Sequence, residues 1–258
     1  LAASVRGMLS YGLSGVPYYS SDIGGFYGAQ PTPELYLRWL AQGVFSSHCR
    51  FHGIGPREPW FLGEELTALT RKWLQFRYRL IPYIAGVIEE AIATGLPVAR
   101  AMALAFPEDP VARHFDLQYL FGPALLVRPL VEPGGRAELW LPKGGRWFDL
   151  WSDAVYEGGQ LIEVEASLDR IPAFGREGHV LPLGPVVQRT DEIDRNNLVD
   201  ELWLFGTPEV SPAVPGRAVT LAGEAALQVS GGRPVALRGW DTKWLQYGQR
   251  VFAAGGGA

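Results

Sequence analysis

The hydrophobic rhythm of this chain changes near residue 123, and that change constrains its fold more than any other feature. Upstream, apolar residues recur every three or four positions over helix-length stretches. Downstream they come in short runs punctuated by glycine pairs at 134–135, 144–145, 158–159 and 231–232. Side chains repeat every ~3.6 residues on a helix and every 2 on a strand, so one architecture cannot carry both rhythms. The chain therefore divides into an α/β part and an all-β part.

In the first part, Gly15 to Ile23 (GVPYYSSDI) is short, partly aromatic and followed by Gly24-Gly25. It reads as a buried strand ending in a tight loop. Pro33 to Phe45 predicts a helix, with Pro33 in its first turn and Leu35, Trp39, Leu40 and Gly43 stepping by three and four. A longer helical stretch runs from about Glu64 to Thr94. Leu66, Leu69, Trp73, Phe76, Leu80, Ile84, Val87 or Ile88, and Ala91 form its stripe. Glu64 and Glu65 suit the positive end of the helix dipole. Pro82 should kink or split the helix, and Gly95 should end it. Val98 to Leu104 reads as another buried strand. Strand, helix, helix, strand in that order predicts a parallel α/β arrangement.

In the second part, apolar runs recur at 124–127, 137–141, 161–164, 180–183, 202–205, 218–221 and 226–229. Short strands between turn signals predict antiparallel β-sandwich structure. The 32 Gly and 20 Pro are then mostly turn chemistry rather than disorder. The polar stretch Arg189 to Asn197 reads as a loop or a boundary between β units.

Charge removes several functional classes. Lys and Arg number 23 against 27 Asp and Glu, a net charge of -4, so no basic field exists for nucleic acid or an anionic membrane. No apolar stretch reaches the ~18 residues of a spanning helix. Cys49 is the sole cysteine, which excludes a disulfide framework and a cysteine-rich metal site.

Three groups of residues could carry chemistry. Asp22 would sit at the C-terminal end of a buried strand before two glycines, where an α/β barrel places its active site. The same spacing suits an Asp that satisfies the following turn. His48 and His52 are four apart and would share a helix face, yet a zinc site needs a further ligand and a positioned acid. Neutral His donating to sugar hydroxyls fits the pair better, and Cys49 fits a small buried hydrophobe. The chain also has 9 Trp, 10 Tyr and 12 Phe. Trp140, Trp147 and Trp151 could stack on sugar rings, although core filling is the commoner use. No phosphate-cradling glycine loop and no G-x-S-x-G elbow occurs.

Several ordered stretches resemble glycoside hydrolase family 31, the retaining α-glucosidases and α-xylosidases. They are LAASVRGMLSYGLSGVPYYSSDIGGF at 1–26, RWLAQGVFSSHCRFHG at 38–53, RYRLIPYI at 77–84, LPVARAMALAFPEDP at 96–110, FDLQYLFGPALLVRPLV at 115–131 and LWLPKGGRWFDLWSDAVYEGG at 139–159. The D-I-G-G-F and R-x-H-G elements are specific in combination. The resemblance implies the C-terminal part of a (β/α)8 barrel over 1–123, a proximal β-sandwich over 124–187 and a distal β domain over 188–258.

The resemblance also implies a substrate, an α-linked oligosaccharide or glycoside, and no cofactor or metal. Asp22 would order the floor of the −1 subsite, Phe26 would line it, His52 would donate to sugar hydroxyls, and Arg50 would join the polar shell. Asp22 and Arg50 would also have partners in a part of the barrel not present here. The family's nucleophile and its acid/base, the latter in a W-x-G-D element, are expected upstream of Leu1; neither element occurs in this sequence. The isolated chain is then expected to be inactive and to self-associate through uncovered barrel edges. The run S-S-H-C-R-x-H-G followed by Arg57 and Pro59-Trp60 looks closer to α-xylosidases. The non-catalytic alternative is a carbohydrate-binding β module. The compartment stays open, with the cytoplasm as the expectation.

Overall fold

The computed structural model describes residues 1–152, 154–193, 199, 201–206 and 209, and the backbone of six short strands beyond them. Four helices come first: α1 (Ala2–Leu13), α2 (Pro33–Val44), α3 (Glu64–Arg79) and α4 (Ile81–Thr94). No helix is expected at 2–13 from the patterns above, yet Val5, Met8, Leu9 and Gly12 form the buried stripe of one. Their spacing of three and four was the available signal.

Helix α2 starts at Pro33, and its N-cap Thr32 accepts a hydrogen bond from the Leu35 amide at 3.2 Å. Its buried face is rotated from the expected one. Leu35 is exposed, while Tyr36, Leu37, Leu40, Ala41 and Val44 are buried. Tyr36 can be buried because its hydroxyl finds the Arg57 carbonyl at 2.8 Å. The expected long helix is split at Leu80: Pro82 lies in the first turn of α4, where its missing N–H costs nothing. Gly95 ends α4 in the left-handed region at φ 77°.

Two segments differ from expectation. Residues 15–23 form no regular strand; within them only Asp22 makes a parallel bridge, to Arg50. The Ser47 hydroxyl contributes to this: it accepts from the Tyr19 amide at 2.7 Å, a donor that a ladder would use, and lies 2.8 Å from the Tyr19 carbonyl. The second is Val98 to Leu104. It supplies β1 (Ala99–Ala101) and then a helical turn, α5 (Met102–Ala105). β1 pairs antiparallel with the strand at 119–121, so the antiparallel sheet already begins at Ala99.

The remaining strands are β2 (Tyr119–Phe121), β3 (Leu125–Val127), β4 (Arg136–Leu141), β5 (Arg146–Asp149), β6 (Val155–Glu157), β7 (Gln160–Glu165), β8 (Ala173–Arg176), β9 (Val180–Leu183) and β10 (Glu201–Leu204). Beyond these run β11 (Ala213–Val214), β12 (Arg217–Ala218), β13 (Leu227–Ser230), β14 (Arg233–Ala236), β15 (Trp244–Tyr247) and β16 (Arg250–Ala253). A six-stranded sheet has the order β1-β2-β3-β8-β5-β6, β4 and β7 form a two-stranded antiparallel sheet, and β15-β16-β10-β9 form a further sheet. The expected runs at 124–127, 137–141, 161–164, 180–183 and 202–205 thus correspond to strands. The run at 226–229 lies mostly in β13, and that at 218–221 falls mostly outside the described residues.

Strands β1, β2, β3 and β8 of the six-stranded sheet are buried on both faces, and the sheet's side chains alternate between two cores. Tyr119, Phe121, Leu125, Val127, Phe148 and Ala173 face the helices, in one core with Val5, Leu40, Phe45 and Val87. Leu120, Leu126, Trp147 and Phe174 face the β4–β7 pair, packing with Leu139, Leu141 and Val164. Trp140 and Trp147 belong to this second core at 8% and 2% exposure. Trp151 packs edge-on against Trp73 and bonds the Ile171 carbonyl. The three tryptophans considered as sugar platforms therefore spend their faces or polar edges on packing.

Candidate functional site

Two segments run side by side beyond the ends of the helices. Tyr18 to Phe26 is one, and Ser46 to Gly53, which follows α2, is the other. Backbone bonds join them: His48 N–H to the Tyr19 carbonyl at 3.3 Å, and Ile23 N–H to the Arg50 carbonyl at 3.2 Å. Residues 46–53 form no helix, so His48 and His52 do not share a helix face. His48 instead meets the Ser47 hydroxyl at 3.1 Å and presents its edge to Tyr18.

After Ile23 the chain reverses sharply. Gly25 N–H bonds the Asp22 carbonyl at 2.8 Å, with Gly24 and Gly25 at φ 83° and 82°. Only glycine takes that geometry without strain. Crowding demands it too: a Cβ on Gly24 would lie 3.1 Å from both the Tyr36 ring and Pro31.

This turn brings the four expected residues together. Arg50 Nε donates to Asp22 Oδ1 at 2.6 Å, so the two are partners of each other. The carboxylate is 17% exposed and the guanidinium 59%, which makes the pair a half-wet one of modest energy. Asp22 Oδ2 takes no hydrogen bond among the described residues. Phe26 lies tilted against His52 with ring centres 5.3 Å apart, and His52 is exposed. The imidazole nitrogens make no hydrogen bond among the described residues. The arrangement thus offers a carboxylate acceptor, a cation, an uncommitted imidazole and an apolar wall, which matches the needs of a hydroxyl-rich, neutral ring. Among the described residues no three His, Cys, Asp or Glu side chains converge as metal ligands.

The supporting roles of Arg77, Trp39 and Arg57 escaped sequence reasoning. Arg77, from α3, donates to the carbonyls of Val44, Ser46 and Ser47 at 2.7, 2.5 and 2.8 Å. It places a cation at the negative end of α2. Burial lowers the Arg77 pKa and raises that of the Cys49 thiol; each group's charge partly opposes the other's shift. Cys49 is thus held as a neutral thiol. Trp39 Nε1 donates to Ser21 Oγ at 2.9 Å. Arg57 donates to the Gly25 carbonyl at 2.6 Å. These donors serve carbonyls and a hydroxyl distant in sequence, so no local period announces them.

Comparison with known proteins gives these segments a family. The glycosyl hydrolases family 31 TIM-barrel domain matches residues 1–87, and the glycosyl hydrolase family 31 C-terminal domain matches residues 95–181. The α-xylosidase of Saccharolobus solfataricus is 35% identical over 199 residues, covering 74% of this chain and 27% of that protein. A probable glucan 1,3-α-glucosidase of Oryza sativa subsp. japonica is 38% identical over 186 residues, covering 70% of this chain and 20% of that protein. A Flavobacterium johnsoniae family 31 dextranase, solved as a mutant complexed with isomaltotriose, superposes with a TM-score of 0.74 at 36% identity; the match covers 80% of this chain and 26% of the dextranase. The chain spans about a quarter of the length of the curated relatives it matches. With a barrel part followed by an antiparallel β part, and with both family domains matched in order, the chain belongs to glycoside hydrolase family 31.

Proposed function

We propose that this chain supplies one wall of the −1 sugar pocket of a retaining α-glycosidase acting on terminal α-xylosides or α-glucosides. The observation that carries the reading is the meeting of the two motif segments, through the Asp22–Arg50 pair and the Phe26–His52 contact. Asp22 accepts from sugar hydroxyls through Oδ2 while Arg50 holds Oδ1 and fixes the carboxylate's rotamer. His52 donates to or accepts from a neighbouring hydroxyl, and Phe26 excludes water from one face of the ring.

Double displacement needs two carboxyl groups roughly 5–5.5 Å apart across the scissile bond. In this reading both lie in sequence N-terminal to Leu1. The chain binds and orients the sugar, and the missing carboxylates carry out the covalent step. Similarity to an α-xylosidase and to a probable glucan 1,3-α-glucosidase supports both sugars. The Arg57 and Pro59-Trp60 run favours xylose.

Calorimetric titration of the 258-residue chain with xylose and glucose, beside Asp22→Asn and His52→Ala, tests this. Each substitution removes one charged or directional hydrogen bond, so a loss of about tenfold in affinity is expected. No turnover of an aryl α-xyloside or α-glucoside is expected from any of the three. Robust turnover that survives both substitutions would show that the catalytic carboxylates are misplaced here.

A further inference from the structure

Arg57 is 4% exposed and carries a charge that no carboxylate pairs among the described residues. Burying an unpaired guanidinium is costly, and an apolar side chain of that length would pack at lower cost. The residue must therefore be judged by what its donors hold. Nε donates to the Gly25 carbonyl at 2.6 Å, and Nη1 donates to the Pro56 carbonyl at 3.0 Å. Its own carbonyl accepts from the buried Tyr36 hydroxyl at 2.8 Å, and its amide donates to Glu58 Oε2 at 3.0 Å. Nη2 is buried without a hydrogen-bond partner among the described residues.

The stem of Arg57 threads between glycines from both motif segments. A Cβ on Gly53 would lie 2.9 Å from Arg57 Cγ, and one on Gly24 would lie 3.3 Å from Cδ. Gly24 and Gly53 thus make room for the arginine as well as for their own turns. The side chain thereby joins the Asp22–Phe26 turn to the 53–58 segment, and the Arg57 main-chain carbonyl ties that segment to helix α2 through Tyr36. Tyr36 in turn stacks on Phe51, between Arg50 and His52, at 5.9 Å.

We infer that Arg57 is a positioning residue of the sugar pocket. It holds the Asp22–Phe26 turn against the segment bearing Arg50 and His52, so that Asp22 Oδ2 and the Phe26 face keep fixed places relative to His52. This rests on the pocket reading above. Arg57 acts through the Gly25 carbonyl and does not itself touch the sugar.

Two readouts on the 258-residue chain test the inference. The first is amide hydrogen exchange at Gly25 and Ile54, whose N–H groups bond the Asp22 and Phe26 carbonyls, with Ile84 in α4 as a distant control. The second is xylose affinity, measured with His52→Ala alongside. Arg57→Met should speed exchange at Gly25 and Ile54 by about tenfold, the equivalent of one charge-assisted hydrogen bond, and leave Ile84 unchanged. Xylose affinity should fall by a similar factor. Arg57→Lys, which keeps one donor in reach of Gly25, should recover part of both losses. A merely structural arginine would raise exchange at Ile84 as much as at Gly25, and that result would overturn the inference. So would unchanged exchange at Gly25 in Arg57→Met. In either case xylose binding that still depends on His52 leaves the pocket reading intact. If the parent chain binds no xylose, or His52→Ala binds it equally well, the pocket reading fails and the positioning role goes with it.

Discussion

The segments around Asp22 and His52 and the six-stranded sheet solve the same backbone problem in different ways. In the sheet, ladder bonds satisfy most N–H and C=O groups, and side chains are left to alternate between two apolar cores. Around the site the ladder shrinks to a single bridge at Asp22 and Arg50. There Ser47, Arg57 and Arg77 do the hydrogen bonding that strands would have done. The difference teaches where side-chain identity matters most. A ladder tolerates many sequences, whereas a backbone held by particular donors depends on those residues. Among the described residues it also leaves Asp22 Oδ2 and the His52 imidazole without hydrogen bonds.

This contrast can be broken experimentally. The largest expected effect is at Arg77. Arg77→Met strips the donor from three carbonyls in one buried region and should cost about 4 kcal/mol in urea unfolding. A cost under about 1 kcal/mol would mean that the site's backbone does not depend on side-chain donors, and the contrast would collapse.

Gln118 sharpens it from the other side. It is fully buried, its Nε2 donates to the Trp140 carbonyl at 2.8 Å, and its Oε1 accepts from the Trp140 amide at 2.9 Å. Here the sheet region borrows the site's device, completing an unpaired strand edge with an amide side chain. Gln118→Leu orphans one donor and one acceptor and should cost about 2–3 kcal/mol. Strand residues that only pack, such as Val164, should lose about 1 kcal/mol on Val→Ala at the same depth.

The smallest effect concerns pH. Burial first, and the Arg176 charge in addition, depress the His179 pKa below its ordinary 6.5, with the Glu177 carbonyl partly opposing. His179 is 9% exposed, at the turn between β8 and β9. The unfolded chain then binds the proton more readily than the folded one, so His179 contributes stability above pH ~6.5 that fades as pH falls through the lower folded value. Melting temperature should decline between about pH 7 and 5, and His179→Gln should flatten that slope. An unchanged slope would remove His179 from the account.

Much of the fold is legible residue by residue. The Pro82 break and the Gly95 stop are local rules, and α3 and α4 obey both. Short apolar runs correspond to β3, β4, β7, β9 and β10, while β5, β6 and β8 have no run to announce them. The misses share a cause. β1 has the look of a parallel strand, but nothing in three residues states which edge will accept it, and it pairs with β2. The face of α2 turned because Tyr36 found a partner 21 residues away. Of the site, the D-I-G-G-F and R-x-H-G residues stand out in the sequence. The roles of Arg57, Ser47 and Arg77 do not, because each bonds backbone far along the chain, and backbone carries no residue signature.

The sequence by itself determined the two rhythms, the helix boundaries set by Pro82 and Gly95, and the residue types at the candidate site. Those follow from backbone dihedrals and side-chain period, which are local. Only the tertiary structure decided that Asp22 and Arg50, 28 residues apart, pair with each other. It also decided that Trp140 and Trp147 fill a core instead of facing a sugar. These outcomes turn on which polar atoms lose water and which edges meet, and such competition is settled only when the whole chain packs.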